Sequence, residues 1–133
     1  MSDAKLLRDT FEIAVNDPTF GARFYARLFK SHPELAPMFN RNSPGAQQKV
    51  FAQKLAAIVD AVEDPEALRS ELTAVARSHD QYGVKPEMYG WVGTALLETL
   101  EEAVARDWTP DADRAWRKAY AAVSEMVLSF SRA

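Results

Sequence analysis

Three side chains in this sequence combine polarity with an apolar helical setting: Tyr25, Gln47 and His79. His79 closes the row Leu68, Leu72, Val75, His79, spaced four, three and four, the stripe that one face of an α-helix presents to a core. An inward imidazole has two uses. It can bond a backbone carbonyl, as a core histidine does, or it can offer a neutral nitrogen to a haem iron as the axial ligand. Gln47 opens a second row with Phe51, Leu55, Ile58 and Val62, and Tyr25 lies beside Phe24 on the inward side of another helix. A buried amide or hydroxyl left without a partner costs about 1–3 kcal/mol. These two groups must therefore bond each other, the backbone, or something bound between the helices. A pair of donors facing a bound diatomic ligand would be one such solution.

Other chemistry is absent from the sequence. His32 precedes Pro33 in a turn-rich corner and reads as a surface or helix-start residue. The two histidines have no i, i+4 relation, so the helical metal motifs are missing, and there is no Gly-rich phosphate loop or nucleophile elbow. The chain has no cysteine, which removes disulfides, thiolate-bound zinc, iron–sulfur clusters and thiol nucleophiles. A net charge of −3 argues against a nucleic-acid or anionic-membrane surface. Asp3, Lys5, Arg8 and Asp9 interrupt any secretory leader, and no window has the apolar length of a membrane span, so a cytoplasmic location is expected. Glu98, Glu101 and Glu102 read as a solvated helix face, and Trp91, Trp108 and Trp116 as packing residues.

The elements that must position the three polar residues are all helical by pattern. The spacing of Leu7, Phe11 and Ala14 predicts a helix from Asp3 to Val15. Asp17 as cap and Pro18 as first residue predict a second, to Phe29. His32-Pro33 predicts a short helical turn through Met38, and Phe39 to Gly45 reads as a loop. A long helix follows over 46–62, then one starting at Asp64-Pro65 that carries His79, and Gly83 to Pro86 turns the chain. The next helix carries Tyr89, Val92, Leu96, Leu100 and Ala103. Thr109-Pro110-Asp111 opens the last, with Trp116, Tyr120, Val123, Val127 and Phe130 at helical spacing. The 133 residues thus suit one all-α domain, 1–133, of seven to eight helices. Unequal helices and tight corners favour packing round a pocket over a four-helix bundle.

At this point the chain resembles a known family. Phe24 to Phe29, His32 to Leu35, Pro37 to Phe39, Gln47 to Leu55, His79 to Val84, Tyr89 with Val92-Gly93, and Ala115-Trp116 through Tyr120 together look like a bacterial single-domain globin. They are similar to Vitreoscilla-type haemoglobin and to the globin domain of flavohaemoglobins, and the resemblance covers nearly the whole chain. It implies the globin fold, seven to eight helices packed around a pocket for haem b (iron protoporphyrin IX). It implies His79 as iron ligand, Tyr25 and Gln47 as distal hydrogen-bonding residues, and Phe39, Phe51, Leu55, Val84, Tyr89 and Val92 as haem contacts. One departure is visible. A glutamate that supports the proximal histidine in flavohaemoglobins falls here at Ser131.

The activity implied is reversible binding of oxygen, nitric oxide and carbon monoxide. Nitric oxide dioxygenation is implied if a separate reductase supplies electrons, since no flavin domain is visible in the sequence. The alternative is a gas sensor or oxygen carrier acting through a partner without turnover. A monomer or weak homodimer is expected.

Overall fold

In the computed structural model the described residues form six α-helices and two 3-10 segments. Backbone is described for residues 3–39, 44–81 and 85–131, and side chains for these except 38–39, 44–47, 78–81, 86 and 131. The helices are α1 (Asp3–Val15), α2 (Phe20–Ser31), α3 (Pro44–Ala61), α4 (Pro65–Gln81), α5 (Pro86–Val104) and α6 (Pro110–Ser131), with 3-10 segments at Pro33–Phe39 and Ala105–Asp107. No strand occurs among the described residues, and no described helix is long and apolar enough to cross a membrane. The all-α expectation holds, with six of the expected seven to eight helices being α and the short ones 3-10.

The helix boundaries follow local chemistry with two corrections. The second helix starts at Phe20 rather than Pro18. Asp17 does not cap at the next residue: its carboxylate takes both the amide (2.8 Å) and the hydroxyl (2.6 Å) of Thr19, which makes a tight turn before the helix begins. The expected loop from Phe39 to Gly45 is shorter, because α3 already includes Pro44 and Gly45; proline suits a first helical position, where its missing N–H costs nothing. Residues 40–43 of that loop lie outside the described residues. The last helix is capped as expected, with the Thr109 hydroxyl accepting from the Ala112 amide at 3.1 Å.

Packing splits the apolar interior into two clusters. The larger gathers Leu7, Phe11, Phe24, Tyr25, Leu28, Leu96, Leu100 and Trp116 where α1, α2, α5 and α6 meet. The smaller gathers Leu72, Ala76, Tyr89 and Val127, joining α4 to α5 and α6. One buried chain of polar groups joins α1 to α6. The Trp116 indole donates to the Thr10 hydroxyl at 2.8 Å, and that hydroxyl donates to the Leu6 carbonyl at 2.6 Å, so the α1–α6 contact leaves no polar hydrogen unpaired there.

One residue is backbone-strained. Ala105, at the end of α5, has φ 57° and ψ −123°, a region that disfavours a Cβ. Its side chain is exposed and makes no compensating burial. Ala105→Gly is expected to stabilise the fold by roughly 1 kcal/mol, read as a higher thermal midpoint. Ala105→Val should lower it.

Candidate functional site

The first wall of the site is aromatic and comes from α2 and α3. Repetition of Phe20, Phe24, Tyr25 and Leu28 on the inward side of α2 buries all four. Phe51 of α3 lies flat on Phe24, with ring centroids 4.3 Å apart and planes 3° from parallel. Tyr25 meets that pair edge-on, 5.0 Å from Phe24 and 5.6 Å from Phe51, and lies over Phe29 at 5.8 Å. Its phenol is thus fixed on two sides by ring edges and faces, which prefer such offset and T-shaped arrangements. Gln47 stands one helical turn before Phe51 in α3, and Leu55 one turn after. The two helices approach closely because α2 has Gly21 at the crossing: a Cβ there would sit 3.1 Å from the Cβ of Gln48.

The opposite wall is built by α4, α5 and α6. Leu72 and Ala76 are buried on the face of α4 whose row continues to His79. Tyr89 of α5 is buried in the same cluster as these, with Val127, and with Val75, Val123 and Phe130 packed alongside. Its backbone carbonyl accepts a hydrogen bond of 2.5 Å from the Tyr120 hydroxyl of α6. Tyr120 fits there because residue 93 has no side chain: a Cβ on Gly93 would come within 2.5 Å of the Tyr120 ring. Burial pushes the Tyr120 phenol up to about 12; a hydrogen bond from Ser124 opposes the shift and the nearby Tyr89 phenol adds to it.

Several inward-row residues between these walls are only half-buried: Phe51, Leu55 and Ile58 on α3, Val75 on α4 and Val92 on α5. Their counterparts away from this zone, Leu7, Leu28 and Leu100, are fully enclosed. An apolar group covering the half-buried set would remove that surface from water, which is the chemistry a porphyrin face offers. The residues present therefore fit a haem, with a phenol in each flanking wall.

Of the expected site residues, Tyr25, Phe51, Leu55 and Val92 are brought together in one cluster, and Tyr89 stands in the other. The side chains of His79, Gln47 and Phe39, and all of Val84, lie outside the described residues. His32, expected at the surface, is half-buried and stacks on Trp91 with centroids 4.0 Å apart. Glu98, Glu101 and Glu102 are exposed, as expected of a solvated face, and Glu102 also makes a contact between helices. Its carboxylate pairs with both Arg23 and Arg27 of α2. Neither that clamp nor the Gly93–Tyr120 contact was expected. The only signal for the clamp was the placing of two arginines symmetrically about Tyr25.

Tyr120 makes alkaline stability a local probe. Its folded pKa lies above the ordinary 10.0, so it contributes stability that is fully present below pH 10 and fades as pH rises toward about 12. Tyr120→Phe should lose that part of the alkaline decline, measured by denaturant titrations at pH 9 to 12. Gly93→Ala should destabilise by about 1–3 kcal/mol at pH 7, because the ring has to move.

Comparison with known proteins agrees with this geometry. The sequence matches the Globin family over residues 22–127. A flavohemoprotein of Rhizobium meliloti is 35% identical over 106 residues, covering 78% of this chain and 26% of that protein. The chain thus spans about a quarter of that relative's length. A bacterial globin from Campylobacter jejuni superposes with a TM-score of 0.84 at 27% identity, covering 98% of this chain and 94% of that one. A Pseudomonas aeruginosa protein described as structurally highly homologous to a human haemoglobin gives 0.88 at 21% identity, covering 98% of each chain, a likeness of fold alone. A family match over most of the chain, on a fold of this architecture, means that the chain belongs to the globin family.

Proposed function

We propose that residues 1–133 form one globin domain that holds haem b through His79 and binds diatomic gases on the side of Tyr25. The observation that carries this reading is the seating of Tyr25. It is a phenol, 8% exposed, edge-on to a stacked Phe24–Phe51 pair and next to apolar residues left half-open. Family membership supplies the haem that this buried phenol and the half-open apolar residues beside it would face. Phe51, Leu55, Val92, Tyr89, Phe39 and Val84 would contact the porphyrin. Haem iron, when bound, supplies the gas-binding site and the one-electron chemistry.

The chain's own residues do the rest. Tyr25 Oη donates a hydrogen bond toward the bound ligand, and Gln47 supports it. Phe24, Phe29 and Phe51 exclude water, which strengthens that bond. On the other side Tyr89 is held in place through its carbonyl by Tyr120. At Ser131 no carboxylate stands where flavohaemoglobins support the histidine, so the imidazole carries less negative character. Reversible oxygen binding is favoured accordingly. Nitric oxide dioxygenation joins one nitric oxide, one dioxygen and one electron to give nitrate, and a separate reductase would renew that electron. Carbon monoxide would bind as a competitor.

The first test is the absorption spectrum of the purified or hemin-reconstituted chain. A colourless protein that takes up no hemin would refute the reading. With haem in place, Tyr25→Phe is expected to speed oxygen dissociation about two- to tenfold, the worth of one hydrogen bond. An unchanged rate removes Tyr25 from that role. Nitric oxide consumption with a flavin reductase and NADH then separates turnover from carriage. Catalytic consumption supports the dioxygenase, whereas a single stoichiometric reaction leaves a carrier or sensor that acts through a partner.

A further inference from the structure

We propose that Glu102 is a positioning residue for the distal tyrosine: by gripping Arg23 and Arg27 together it sets the rotation at which α2 presents Tyr25. This rests on the reading of Tyr25 as the ligand's hydrogen-bond donor. One oxygen of the Glu102 carboxylate pairs with Arg23, and the other takes Arg27 at 2.7 Å. Both arginines are anchored a second time. Arg23 also pairs with Asp17 at 2.7 Å, and Asp17 is itself held by Thr19. Arg27 also donates to the Thr99 hydroxyl at 3.2 Å, and that hydroxyl, fully buried, donates to the Ala95 carbonyl at 2.7 Å. The outer side of α2 is therefore tied to α5 at Glu102 and Thr99 and to its own entry turn.

Geometry connects this clamp to the pocket. Arg23 and Arg27 stand two residues either side of Tyr25, which places each about 160° round the helix from it. Whatever holds the arginines fixes the azimuth of the tyrosine. A helix rotation of only about 10° would carry a phenol oxygen, roughly 9 Å from the helix axis, through about 1.5 Å. That exceeds the tolerance of a hydrogen bond, whose useful range spans about 0.5 Å. The aromatic contacts of Tyr25 hold α2 from its inward side, and the arginine clamp holds the same helix from its outward side. Each guanidinium gives one nitrogen to Glu102 and the other to a second partner, Asp17 or Thr99, so each is held at two points.

The test uses the full chain loaded with hemin and reduced. Glu102→Gln keeps the shape and removes the charge; Arg27→Lys keeps the charge and loses the fork. Both are expected to speed oxygen dissociation about two- to tenfold and to move the stretching band of added carbon monoxide to higher wavenumber, as Tyr25→Phe does. In the Tyr25→Phe background, Glu102→Gln should change neither reading further. A lower melting temperature with an unmoved carbon monoxide band would show the clamp to be purely structural and overturn the proposal. Additive effects of the two substitutions would overturn it as well, because the influence would not pass through Tyr25. Failure of Tyr25→Phe itself to move the band would remove the distal reading and this inference with it, an outcome distinct from failure at Glu102 alone.

Discussion

The stack of Phe51 on Phe24 is the contact on which the rest of the pocket depends. Two rings at 4.3 Å and 3° bring α3 onto α2 with little freedom to slide. Close approach of the helices is permitted by Gly21, and the stack then locks it. Tyr25 is buried because this pair gives its ring two edges to meet. Gln47, one turn from Phe51, inherits its place from the same crossing. If the stack were lost, α3 would keep its buried Val59 and Ala61, its partly buried row and the Lys54–Glu71 pair to α4, 3.9 Å long, to hold it. Such a pair contributes under about 1 kcal/mol.

The fold's ion pairs divide by this standard. Lys5–Asp9, Arg114–Asp111 and Arg117–Asp113 are neighbours along one helix and mostly exposed, and each such pair adds little. In the last of these the Arg117 guanidinium holds the Asp113 carboxyl below its usual range, a local effect on an exposed group. The pairs of Arg23 and Arg27 differ in kind. They cross from α2 to α5, share one carboxylate, and end on a buried threonine. With Glu102 exposed, their proposed orienting role rests on this shared geometry rather than on burial.

Much of the fold was legible because helices advertise themselves in apolar spacing and caps. Asp3 to Val15, the row Leu68 to Val75 and the Thr109 cap needed only local information. The start of α2 was misplaced because Asp17-Pro18 fits a helix cap and a turn equally well, and Thr19 decides between them by supplying two donors to one carboxylate. The candidate site was legible in part, through the types and rows of Tyr25, Phe51 and Tyr89. The long-range pairings that orient it were not. Glu102 looks like its exposed neighbours Glu98 and Glu101 until α2 is laid beside it, and Gly93 has no pattern that names Tyr120 as its partner. Spacing along one chain reports the face of a helix, not what packs there.

The two walls of the pocket also differ in what holds them. On the Tyr25 side a phenol sits among rings, with charges kept to the outer face of α2. On the Tyr89 side a phenol pushed well above its ordinary pKa by burial, a serine and a backbone carbonyl form a neutral relay, while the Arg69 guanidinium lies over the Phe130 ring, 5.5 Å from its centroid. From Tyr120 to Ser131 the sequence has one carboxylate, Glu125, which is exposed. On the proposed reading, donors on the Tyr25 side with serine rather than a carboxylate at residue 131 would suit holding a ligand and releasing it, more than breaking its bond.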